Sequence, residues 1–275
     1  MSTTSEPRLP DDPAVPEPTG SDRAAPEPIE LEPIELDRLV PGAIGSDGAG
    51  SVWVWPKGAA PGLDGLDIAG YRALARTRLE RFPRIEVPDA PGMRRAAVVL
   101  CVVPAADGAL SVLLIKRAYR GRNAGQWGLP GGRMEAGENA CQAALRELHE
   151  ELALPADPGD ILGVLDDFPA TSGFAITPVV VTIPGTAALR PDPGEVYSVH
   201  FVPLTRLGAE GVPHWIRRPD LPDGPDLLQM RLAPKMTIHA PTGAMLWQFR
   251  EVVLLGSAPD EARVAHFVQP DWTRR

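Results

Sequence analysis

Between Gly132 and Leu154 the chain carries charged residues at spacings that leave little freedom to the fold around them. Five residues separate Gly132 from Glu138, seven more lead to Arg146-Glu147-Leu148, and Glu150-Glu151 follow after one residue. The pattern predicts a helix. Asn139 can cap it, with Gln142 as the reciprocal partner three residues on. At about 100° per residue, Glu147, Glu150 and Glu151 share one face. Ala144, Leu145, Leu148 and Leu152 share the adjacent face and are expected to bury. Like charges at this spacing repel by a few tenths of a kcal/mol per exposed pair, so the face calls for positive charge. Arg146 is one source. A hard divalent cation, which takes carboxylate oxygens together with substrate phosphates and water, is another. A solvated acidic face is the plain alternative, and the helix alone does not decide between them.

The loop before the helix shifts the balance towards a bound cation. Pro130-Gly131-Gly132 allows positive φ and a close approach of backbone to a phosphate, and Glu138 is placed to brace the loop against Arg146. Loop and helix together resemble the Nudix box, G-x5-E-x7-R-E-U-x-E-E-x-G-U, with U aliphatic. With glycine and each charged residue at about 6–7% frequency, a chance match is on the order of one in a million. One position departs: Ala153 stands where the box has its last glycine, a place where a left-handed turn costs alanine about 1 kcal/mol.

The resemblance runs from about Arg94 to Leu204. It implies an α/β fold, a Nudix α/β/α sandwich with a mixed central sheet, and a metal-dependent hydrolase cleaving a diphosphate bond in a nucleoside-diphosphate-linked substrate. Carried over residue by residue, it implies Mg²⁺ or Mn²⁺ held by Glu147, Glu150 and Glu151. The water-activating base of this family varies in position. Glu150 within the box and Glu195, after the turn Pro191-Asp192-Pro193-Gly194, are the candidates, and Arg146 is the third residue expected in the catalytic group. Within the family the chain is most similar to the coenzyme A pyrophosphatases. Leu113-Leu114, Arg117, Arg122, Gly125-Gln126 and Pro130-Gly131-Gly132 resemble that group's signature upstream. Thr171-Ser172-Gly173-Phe174, Thr177-Pro178-Val179-Val180 and Glu195-Val196 resemble it downstream. Leu129 and Ala118 depart, and only Asn123 and Ala124 lie between Arg122 and Gly125. The expected substrate contacts are Arg117, Arg122, Gln126, Gly131 and Gly132, the arginines through the bidentate fork a phosphate accepts. Trp127 is expected to pack under the loop, and His149 to point away from the acids. Other substrates of the same chemistry, ADP-ribose or a dinucleotide among them, are the nearest alternative. A nucleotide-sensing Nudix-fold domain without catalysis, and isoprenoid-diphosphate isomerisation, are the others.

The remaining sequence sets boundaries. The chain has 275 residues and a net charge of −9, of which the first 38 residues, with ten acids and three arginines, supply −7. A near-neutral body behind an acidic segment lacks the basic face of a nucleic-acid binder. The longest apolar run, Ala96 to Val103, is far short of the roughly 20 residues of a membrane span. Residues 1–40 are expected to be a disordered, acidic, Pro-rich tail, containing the repeat Glu27-Pro28-Ile29-Glu30-Leu31, Glu32-Pro33-Ile34-Glu35-Leu36. Residues 41–92 are expected to be an accessory segment, with a strand at Ser51–Trp55 and a helix at Ile68–Phe82 facing inward through Ala69, Leu74, Leu79 and Phe82. The catalytic domain is expected over 93–260 and a C-terminal tail over 261–275. Ala96–Val103 and Ala109–Lys116 read as a hairpin through Asp107-Gly108. Further strands are expected at Ile161–Asp166, Ala175–Ile183 and Val196–Val202, and a helix at Met245–Leu255. His214–Met236 is expected either to shape the pocket or to join two copies in a homodimer. Cys101 and Cys141 read as core thiols of a cytoplasmic protein, and the expected partner is a small-molecule diphosphate, with neither nucleic acid nor membrane.

Overall fold

A strand apolar on both faces must be covered on both, and Arg94–Pro104 is such a strand. In the computed structural model, which describes residues 43–45, 62–63, 65–119, 123–186, 189–217 and 224–270, this strand lies inside a mixed sheet. Leu100 and Val102 face one hydrophobic core, while Ala97, Val99, Cys101 and Val103 face a second. The tail at 1–40, the strand at Ser51–Trp55 and Arg122 lie outside the described residues.

The chain runs β1 (Ala43–Gly45), α1 (Ile68–Glu80), β2 (Arg94–Pro104), β3 (Leu110–Arg117), β4 (Trp127–Gly128), β5 (Gly131–Arg133) and α2 (Ala140–Leu152). It continues through β6 (Ile161–Val164), β7 (Phe168–Ala170), β8 (Phe174–Thr182), β9 (Val196–Pro203) and α3 (Leu204–Gly208). Last come β10 (Pro213–Ile216), β11 (Leu227–Ala233), β12 (Met236–Ile238) and α4 (Thr242–Phe249), which continues as a π-helical turn over Arg250–Leu255. The main sheet has the order β1-β9-β3-β2-β8-β6, with β4 on β3, β5 on β2 and β7 on β8. β2 and β8 pair in parallel, and the other pairs are antiparallel. The expected hairpin is present, turned at Asp107-Gly108 with Ala105 and Ala109 bonded across it.

α2 covers one face of the sheet through Ala143, Ala144, Leu148 and Leu152. Leu145 is only half-buried. α1, α4 and the antiparallel sheet β10-β11-β12 cover the other face, so the α/β/α sandwich expected from the sequence is the fold observed. Residues 214–236, which the sequence left open, supply most of that small sheet.

Two expectations change. In α1 the deepest residues are Tyr71, Ala75 and Leu79, whereas Ala69 is exposed; the apolar stripe is set by the large tyrosine ring. The expected C-terminal tail is part of the core as far as it is described, since Ala262, Val264 and Phe267 are buried beside α4. Two consecutive acids join these outer segments to the sheet. Asp166 accepts from Ile85 N, Gln248 Nε2 and Arg263 Nη1. Asp167 accepts from Val87 N, Arg84, Arg95 and Thr177. Buried carboxylates are stable only when fully bonded, so the segment after α1 is held where these donors are satisfied.

Candidate functional site

α2 begins as the sequence predicts, with Asn139 and Gln142 each accepting the other's backbone N–H. It ends at Ala153 with φ 54° and ψ 23°, the left-handed turn the box glycine would make. The alanine therefore keeps the geometry at a conformational cost.

The Gly131-Gly132 pair is required by contact as well as by conformation. Gly131 has φ 146°, and a Cβ there would lie 2.3 Å from the carbonyl oxygen of Ala97. A Cβ on Gly132 would lie 2.4 Å from Oε1 of Glu147. The loop is thus pressed between β2 and the acidic face of α2. Gly131 N donates to Glu151 Oε2 at 3.0 Å, which fixes that carboxylate against the loop.

Arg146 organises the other side. Its Nε and Nη2 donate to the two oxygens of Glu138 at 2.7 and 3.0 Å, and Nη2 also donates to the carbonyl of Arg133. Its Nη1 donates to Glu147 Oε1 at 2.9 Å and to Glu150 Oε2 at 2.8 Å. The Arg146 guanidinium and the Glu135 amide hold the Glu138 carboxyl down to about 2, and the Glu138 hydrogen bond raises Arg146. Glu138 and Arg146 form the brace that the spacing suggested.

Glu147, Glu151 and Glu195 converge, each offering an oxygen within 4.8 Å of the others. Glu195 is 44 residues beyond Glu151 in sequence, and the end of α2 brings it in: Arg190 N donates to Leu152 O and Asp192 N to Glu151 O, both at 2.9 Å. These bonds satisfy helix carbonyls that have no partner within the helix. Glu195 O in turn accepts from Ala118 N at 2.8 Å, beside Arg117. Glu150 stands apart from this group, with its side chain 56% exposed and bonded to Arg146.

The electrostatics are those of a site short of positive charge. Burial pushes the Glu147 carboxyl up, against the pull of Arg146. Burial pushes Glu151, 1% exposed, up to about 8; the Gly131 amide and Arg117 oppose the rise, and Glu147 and Glu195 add to it. Three carboxylates gathered around one point, two of them shielded from water, form a hard-oxygen donor set that fits a divalent cation.

Of the other expected residues, Arg117 ends β3 within electrostatic reach of Glu151. Gln126 lies outside the cluster, in a depression of about 320 Å³ lined also by Trp127, Thr237 and His239. Trp127 is half-buried with its ring edge-on to buried His200, 4.7 Å between centroids. His149 is exposed. Arg133, which has no motif signal of its own beyond following Gly132, lines a polar cleft of about 590 Å³ with Met134, Glu135, Ala136, Arg146 and Glu147.

Residues 93–220 match the NUDIX domain. A protein of Citrobacter koseri named Uncharacterized Nudix hydrolase NudL is 40% identical over 120 residues, 42% of this chain and 62% of that protein. A protein of the same name from an Enterobacter species is 37% identical over 119 residues, 42% of this chain and 61% of that protein. The match therefore spans less than two thirds of these relatives. Among solved structures, the Nudix hydrolase RenU from M. Smegmatis is 29% identical over 42% of this chain and 73% of that one, with a TM-score of 0.34.

Proposed function

We propose that the chain is a Nudix pyrophosphohydrolase that cleaves the diphosphate bond of a nucleoside-diphosphate-linked compound, with coenzyme A or a derivative as the substrate class. The observation that carries the reading is the meeting of Glu147, Glu151 and Glu195 beside the Gly131-Gly132 turn. Glu147 and Glu151 would hold Mg²⁺ or Mn²⁺ with Glu195 as a further oxygen donor, and Glu150, bonded to Arg146, is the remaining box acid on this face of α2. The cation supplies neutralisation of the diphosphate oxygens and a Lewis acid at the leaving phosphate.

The protein groups do the rest. Arg117 and Arg122 take phosphate oxygens through their guanidinium forks. The close packing of Gly131 and Gly132 lets the substrate's phosphates reach the acids without a side chain between. Arg146, bound to Glu138, Glu147 and Glu150 together, holds three acids in register. Glu195 or Glu150 accepts the proton of the attacking water. Coenzyme A is supported by the residues around the box, from Leu113 to Gly125-Gln126 and from Thr171 to Glu195-Val196.

The test is turnover, read as released phosphate-bearing products, with Mg²⁺ on coenzyme A, ADP-ribose and NADH, beside Glu150→Gln and Glu151→Gln. Cleavage of coenzyme A alone, lost in Glu151→Gln, supports the full reading. Cleavage of ADP-ribose or NADH instead keeps the reaction and replaces the substrate. No cleavage of any of the three with either Mg²⁺ or Mn²⁺ leaves a ligand-binding domain in its place.

A further inference from the structure

On β3, one residue before Arg117, is an arrangement that diphosphate chemistry does not use. The Lys116 ammonium lies 5.5 Å from the ring centre of Tyr119, 5.7 Å from that of Trp127 and 5.8 Å from that of Tyr197. The rings of Tyr119 and Tyr197 meet edge to face, 5.1 Å between centroids. Both stay open to solvent, Tyr119 at 60% and Tyr197 at 49%. Large aromatic side chains at that exposure lose hydrophobic stabilisation unless something covers them. Tyr119 is also held in place, since a Cβ on Gly125 would lie 2.5 Å from its ring.

The position is informative. Tyr119 is two residues beyond Arg117, and Tyr197 two beyond Glu195. Ala118 N donates to Glu195 O at 2.8 Å, so the two segments that carry the rings are joined beside the third acid. Lys116 forms no salt bridge among the described residues, and so keeps the patch positive. A positive, ring-lined patch suits an anionic ligand with a flat π-system better than an apolar protein surface.

We infer that Tyr119 and Tyr197, with Lys116 between them, form the subsite that stacks the base of the substrate's nucleoside. The inference rests on the proposed diphosphate cleavage and adds to it which end of the substrate is recognised and by which residues. Stacking a base on an aromatic ring changes affinity by about 5- to 150-fold per base.

The experiment compares AMP with ribose 5-phosphate, which keeps the phosphate and sugar but lacks the base. Both are titrated calorimetrically in Mg²⁺ into the full chain, its Tyr119→Leu/Tyr197→Leu variant and its Tyr119→Phe/Tyr197→Phe variant. The wild type is expected to bind AMP at least about 10-fold more tightly than ribose 5-phosphate. The leucine variant is expected to bring that ratio close to one with ribose 5-phosphate unchanged, and the phenylalanine variant to restore it. Thermal melts of the variants verify folding. The inference is overturned if the wild type does not distinguish the two ligands, or if the leucine variant keeps the ratio. The readout needs no turnover, so cleavage by the wild type with an unchanged ratio sinks the subsite alone. A ratio that collapses in a chain that cleaves nothing sinks the hydrolase reading alone.

Discussion

At Glu151 a proton and a divalent cation compete for the same oxygens. Burial brings its pKa up to about 8 from the ordinary 4.5 in the absence of a cation. The folded chain then keeps a proton that the unfolded chain has already released between pH 4.5 and about 8. The contribution of Glu151 to cation-free stability is therefore full below pH 4.5 and is lost as the pH rises through about 8. At about 1.4 kcal/mol per pH unit, the difference sets a ceiling of roughly 5 kcal/mol on that loss. Below pH 8 a cation must displace the proton, so its Kd is expected to rise towards about 10-fold per pH unit, or about 50-fold from pH 8 to pH 6.

Glu151→Gln separates the two effects. Its amide oxygen still accepts from Gly131 N, but the residue cannot ionise. Without a cation the variant is expected to melt above the wild type at pH 8, by about 5 °C for a gain near 2 kcal/mol, and to converge with it at pH 5. With saturating Mn²⁺ the order reverses. Calorimetric titration of Mn²⁺ in two buffers of different ionisation enthalpy reads the proton directly, with nearly one released per cation at pH 6.5 and none at pH 9. A Kd that is flat from pH 6 to pH 8, with no proton released, would refute the argument that this buried acid is protonated before the cation binds.

Three further perturbations test the frame around the site. Ala153→Gly relieves the left-handed alanine at the end of α2 but adds freedom to the unfolded chain, and is expected to stabilise by about 0.5 kcal/mol; a lowered melting temperature would contradict the conformational cost assigned there. Asp167→Asn removes the buried charge shared by Arg84 and Arg95 and is expected to destabilise by about 3 kcal/mol in denaturant unfolding, where a loss under 1 kcal/mol would reduce the pair of acids to ordinary surface pairing. His200 is held down to about 3 by burial and by Lys116, so the unfolded chain binds the extra proton below pH 6.5. The His200 contribution to stability is expected to fall by about 2 kcal/mol on going to pH 5, and His200→Asn to remove that part of the slope.

The parts of the site legible in the sequence are those whose geometry is local. The cap of α2 and the acidic face follow from helix periodicity, because residues three or four apart on a helix can meet in few ways, while Glu138, on the loop before the cap, is tied to Arg146 by the spacing of the box. The inward face of α1 was less legible, since Tyr71 joins a ring that belongs in the core to a hydroxyl that does not, and the buried hydroxyl has no hydrogen-bond partner among the described residues. Lys116 gave no signal, because its three rings come from positions 119, 127 and 197 and meet only when β9 and β4 pair with β3. Glu195 shows most clearly where local reasoning stops. Its turn, Pro191-Asp192-Pro193-Gly194, reads as a turn and nothing more. What carries the carboxylate to Glu147 and Glu151 is the need of α2's final carbonyls for donors, which the amides of Arg190 and Asp192 meet. A helix terminus thus builds the site twice over: α2 presents two of the acids on its own face, and its unsatisfied end draws in the third.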